Sequence, residues 1–109
     1  MPRILLTLAA VGTAIALPLL AQTAETPATT AYKAAMNAMM GGMMMSYTGN
    51  ADVDFIKGMV PHHQGAVDNA RIVLEFGTDP EVRKFAESVI AAQEAEITWM
   101  NEWLAKNGG

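Results

Sequence analysis

The sequence predicts an all-α protein, an antiparallel three-helix bundle, on three observations. Apolar residues recur at spacings of three and four through the second half of the chain, as they do along one face of a helix. No stretch of useful length alternates apolar and polar residues in the manner of a strand. Start and stop signals divide the periodic runs: Asn50 or Asp52 opens one and Gly77 closes it, Thr78-Asp79-Pro80-Glu81 opens the next, and Gly108-Gly109 ends it. A chain of 109 residues has room for one domain.

Residues 1–21 read as a cleaved Sec-type signal peptide. Arg3 supplies a short positive region, residues 4–17 are apolar, and Ala21 or Ala24 offers a small residue at the cleavage point. A membrane-spanning helix needs about 20 apolar residues, and Pro18, Gln22, Thr23 and Glu25 end the run too soon. The expected protein is therefore exported and free of the membrane after cleavage. Without Arg3 it carries six basic against eleven acidic side chains, which argues against nucleic acid, whose phosphates call for a basic patch. There is no cysteine. A small exported domain without disulfides must rely on helix packing, a metal or self-association, and any soft ligand in it must be methionine.

Residues 22–30 are small, polar and interrupted by Pro27, and read as a flexible tether before a helical domain at 31–107. Thr29 or Thr30 is placed to cap a first helix over 32–45, rich in Ala and Met. Gly41-Gly42 is expected to fray or end it, since each glycine costs about 1 kcal/mol against Ala. A turn centred on Gly49-Asn50 follows. The second helix carries the stripe Phe55 or Ile56, Met59, His62 or His63, Ala66, Ala70, and Val73 or Leu74. Pro61 is expected to kink or split it, because proline removes an N–H and crowds the preceding turn. Gly77 is placed as a left-handed terminator. Thr78 or Asp79 is placed to cap the third helix, with Pro80 in its first turn and Glu81 three residues after Thr78 as in a capping box, and its stripe Val82, Ala86, Val89, Gln93, Glu96, Met100, Trp103 contains two polar breaks. Arg83, Lys84 and Lys106 read as surface charges.

Short connections make successive helices antiparallel neighbours. Reversal at Gly77-Thr78 sets His63 opposite Gln93 and Met59 near Ile97. Reversal in the 46–50 turn sets Met36 and Met39 near Met59 and His62, so that the polar breaks and the methionines meet at one level.

The chemistry this suggests is metal binding. Met59, His62 and His63, at i, i+3 and i+4, lie on one side of a helix. Six methionines fall between Met36 and Met45, more than core packing explains, since repeated methionine specifies a core poorly. Thioethers favour Cu(I), and imidazole binds copper in either oxidation state. The candidate ligands are Met36, Met39, Met40, Met43, Met59, His62, His63 and Met100, the ion Cu(I), and Ag(I) its expected mimic. A di-iron bundle would place Glu-x-x-His on its helices, but Met59 and Val60 stand three residues before the two histidines. Zinc peptidase and nucleophile motifs are absent from the sequence.

The run from Asp52 to Asp68 (Asp-Val-Asp-Phe-Ile-Lys-Gly-Met-Val-Pro-His-His-Gln-Gly-Ala-Val-Asp) resembles the CopM-like family of exported copper-binding proteins. The stretches 79–83 and 91–97, with Met100, Trp103 and Leu104, carry the likeness on, so that it covers roughly 31–106. The resemblance implies a ferritin-like helical fold and a periplasmic protein that buffers Cu(I) or hands it over as a metallochaperone in copper tolerance, to a copper exporter or another periplasmic copper protein. It also implies that Met59, His62 and His63 are ligands, with Met39, Met43 and Met100 from the flanking helices. Two departures stand out: Met40 where a histidine is expected, which keeps a soft donor, and Asn69 where relatives often carry methionine.

The expectation is thus a copper-binding protein and not an enzyme, with a remaining apolar face that a homodimer would bury. Two rivals are a cuprous oxidase, which would consume oxygen on receiving Cu(I), and a metal-free helical interaction module, whose thermal stability copper would leave unchanged.

Overall fold

The computed structural model describes residues 24–108, which form three helices and no strand: α1 (Pro27–Met43), α2 (Ala51–Phe76) and α3 (Pro80–Asn107). The expected signal peptide, with its cleavage point at Ala21, lies outside the described residues. No helix among the described residues is long and apolar enough to cross a membrane.

Each helix begins on a side-chain cap. Thr26 opens α1, its hydroxyl accepting from the Thr29 amide at 3.2 Å. Helix therefore begins at Pro27, inside the expected tether, because proline in the first turn has no N–H to satisfy. Asn50 opens α2, accepting from the amides of Asp52 and Val53. The Asp79 carboxylate opens α3, accepting from Glu81 at 2.9 Å and Val82 at 3.0 Å; Asp79, and not Thr78, is the cap.

The sequence expectations about breaks are corrected in part. α1 runs through Gly41-Gly42 and ends one residue later at Met43, and α2 is not split at Pro61. The two facts are linked. A Cβ on Gly42 would stand 2.7 Å from the Pro61 Cβ, so the glycine lets α1 seat directly on the proline ring. Gly77 is not left-handed but extended, at φ −78 and ψ 150. At the end of α2 the Val73 carbonyl accepts from the Gly77 amide, and Arg83 covers the next, its Nη1 donating to Leu74 O at 2.8 Å and also to Gly77 O at 3.0 Å. Arg83 is a cap, not a free surface charge. Gly108 does take the left-handed conformation at the end of α3, at φ 83.

α2 is the middle helix. α3 packs on one side of it, with facing positions that descend along α3 as they ascend along α2: His63 meets Glu96, and Leu74 meets Arg83. α1 packs on another side, Met39 against Gly65 and Gly42 against Pro61. α1 and α3 make no close backbone approach to each other. The buried apolar side chains accordingly come from α2 (Val53, Ile56, Val67, Ala70, Ile72) and α3 (Ala86, Met100), and none from α1.

The register of α1 differs from the expected one by more than a turn, and the connector explains it. Residues 44–50 span up to about 23 Å when extended, enough to run beside the first turns of α2. The Asp54 carboxylate fixes them there, accepting from the Thr48 amide and hydroxyl, both at 2.8 Å, and from the Gly49 amide at 3.1 Å. The Thr48 amide above all holds the Asp54 carboxyl below its usual range. The start of α2 therefore projects past the end of α1.

Candidate functional site

The two histidines, though adjacent, do different things. Consecutive helical residues point about 100° apart, and here the ring centroids are 6.0 Å apart with planes at 60°. His63 turns towards α3. Its side chain is 16% exposed, and Nε2 lies 2.5 Å from Glu96 Oε2. His62 is exposed.

His63 lines a groove of about 330 Å³ between α2 and α3, with Met59 beside it, Glu96 and Met100 across from it, and Phe55 and Trp99 at its mouth. Met100 is 4% exposed and Met59 half-buried. His63 Nδ1 is buried and has no hydrogen-bond partner among the described residues. The same holds for Gln93 Oε1, on the residue expected opposite His63. An imidazole that donates Nε2–H to a carboxylate keeps its lone pair on Nδ1. Glu96 therefore orients His63, and in a neutral imidazole donating from Nε2 the free nitrogen is the buried one.

The eight candidate ligands fall into three groups rather than one. Met59, His63 and Met100 share the α2–α3 groove. Met39 is spent on packing, since a Cβ on Gly65 would lie 2.5 Å from its sulfur. Met36, Met40 and Met43 are more than a third exposed, on α1, and His62 is exposed on α2. The sequence argument that brought all of them to one level relied on the α1 register, which the connector shifts. Glu96 carries more than the sequence assigned to it: there it was a polar break in an apolar stripe, and only its facing position shows it to be the partner of His63. Among the described residues, no three of His, Cys, Asp and Glu gather to hold a metal.

The fold and the groove define the class: a small all-helical protein in which one His–Glu pair and two thioethers line a cleft between packed helices. The family described as "Domain of unknown function (DUF305)" matches residues 9–104, and the chain belongs to that family. It is also similar to an uncharacterized protein of Acanthamoeba polyphaga mimivirus, with 32% identity over 53 residues, covering 49% of this chain and 35% of that relative. The match thus spans about a third of the relative's length.

Proposed function

We propose that the protein binds Cu(I) in the α2–α3 groove through His63 Nδ1 and the sulfurs of Met59 and Met100. The observation that carries this reading is the buried, unpartnered Nδ1 of a histidine that lines a groove together with Met59 and Met100. Leaving such a nitrogen unsatisfied costs about 1–3 kcal/mol, and a soft monovalent ion would repay it with the donor set it prefers. The Glu96–His63 pair has the form of the outer partner that orients a ligating imidazole. Because carboxylates and histidines do not gather in threes among the described residues, the donors favour a soft ion over zinc or a di-iron pair.

In this reading the chain is an exported, periplasmic copper buffer or metallochaperone without catalytic activity, in an antiparallel, ferritin-like arrangement. The mutual order of the α2 and α3 contacts supports the antiparallel part. The test is an anaerobic titration of Cu(I) against a colorimetric chelator, comparing the native protein with His63→Ala and His62→Ala. Native protein should outcompete the chelator, and His63→Ala should lose the tight site while His62→Ala keeps it. Equal loss in both variants, or no uptake by the native protein, would overturn the assignment.

A further inference from the structure

Large exposed apolar side chains are concentrated on one side of the three-helix layer. On α2, Phe55, His62, Ala66, Asn69 and Val73 follow at intervals of seven, four, three and four, which keeps them on one stripe. On α3, Phe85, Glu96 and Trp99 follow at eleven and three, and on α1, Tyr32, Met36, Met40 and Met43 follow at four, four and three. The three stripes border one another: Tyr32, Asn69, Val73 and Phe85 line one open groove, and Phe55 and Trp99 line the next. Phe55 is 62%, Phe85 68% and Trp99 56% exposed. The charged pair Arg71–Glu94, at 2.7 Å, lies off these stripes, as do Lys57, Asp68 and Glu75. Asp52 borders the groove of Phe55 and Trp99, and Glu96, within the α3 stripe, is engaged by His63.

We infer that this face is the interface with a second copy of the chain, related by a two-fold axis running parallel to α2. Helical domains ordinarily bury their apolar faces between two packed layers, and the described residues supply only one. Three observations single out a second copy. The face carries little charge, Asp52 at one end and Glu96, which His63 engages, so two copies can meet on it although the chain is net negative. With α2 at 26 residues, about 39 Å long, and helices spaced roughly 9 Å apart, the face covers on the order of 900 Å²; a standard stable interface takes about 800 Å² from each partner. The face is also self-complementary. An axis along α2 lays α1 of one copy over α3 of the other at the same height. Gly42 sits level with Pro61 and Glu96 with His63, so Met43 comes over Trp99 of the partner subunit, and Tyr32 over the partner's Phe85. Thioether against indole and ring against ring are favourable pairings. The interface does not require copper, and it stands or falls apart from the metal reading.

The test is the mass of the purified, copper-free protein by sedimentation equilibrium at micromolar concentration, beside Phe85→Glu and Lys57→Glu. The native protein and Lys57→Glu should show twice the chain mass. Phe85→Glu should show the single mass while keeping its helical circular dichroism, because an exposed side chain is being changed. The chain has no cysteine, so in a mixture of Met43→Cys and Trp99→Cys each chain holds one thiol, and mild oxidation should link the two variants in a mixed disulfide between copies. A single-chain mass for the native protein, a dimer that forms only with added Cu(I), or a native dimer that gives no mixed disulfide would each overturn the proposal.

Discussion

Two neighbouring glycines in α1 should respond to the same substitution with opposite signs. A Cβ on Gly41 meets nothing within 4 Å, whereas one on Gly42 would lie 2.7 Å from the Pro61 Cβ. Carbon atoms sit comfortably at about 3.5–4.0 Å, so Gly42→Ala must part α1 from α2 by close to an ångström. A proline ring inside a helix cannot swing aside, unlike the end of the Met39 side chain that crowds Gly65. Replacing Gly by Ala within a helix gains about 1 kcal/mol at either position. Overpacking at Gly42 costs about 1–3 kcal/mol and cancels or outweighs that gain. Gly41→Ala should therefore be the more stable variant by about 1–3 kcal/mol, and at about 4–8 °C per kcal/mol for a domain of this size the melting points should differ by roughly 5–20 °C. Thermal and urea unfolding followed by circular dichroism measure this directly. If Gly42→Ala melts at or above Gly41→Ala, the seating of α1 on Pro61 is wrong, and with it the register that separates the α1 methionines from the groove.

Two further outcomes follow from the same geometry. Met100→Leu keeps the volume of a buried side chain, so it should cost less than about 1.5 kcal/mol while weakening Cu(I) uptake in the chelator competition; unchanged uptake would remove Met100 from the donor set. Asp54 has a carboxyl pKa held below its ordinary value, chiefly by the Thr48 amide. Its stabilising contribution is therefore present above the unfolded pKa and is lost as pH falls through the lower folded one. Asp54→Asn should reduce stability at neutral pH and flatten its acid dependence, and a urea midpoint with the same pH slope in both proteins would contradict the Thr48 and Gly49 clamp.

The helices were legible because their signals are local. Asn50, Pro80 with Asp79, and Gly108 act within a turn of where they stand, and the start of α2 and both ends of α3 were read from them. What escaped the sequence was whatever depends on a residue elsewhere in space. Gly77 looked like a left-handed terminator because nothing near it shows that Arg83 reaches back to the Leu74 and Gly77 carbonyls. Gly42 looked like a breaker because nothing near it shows that the Pro61 ring packs where its side chain would stand. The α2–α3 register came out within a turn, since a three-residue link leaves little freedom. The α1 register did not, since a seven-residue connector can run along a helix before the chain reverses.

The division between the histidines follows from the same limits. Positions i+3 and i+4 both lie on the side of Met59, but on either flank of it, about 100° apart, so a helix cannot aim both imidazoles into one narrow groove. Met59 is the donor that stands between them. His63, held by Glu96, lines the α2–α3 groove, and His62 is exposed on the other flank of Met59. On the proposed function, the His-His pair therefore supplies one ligand to the groove and not two.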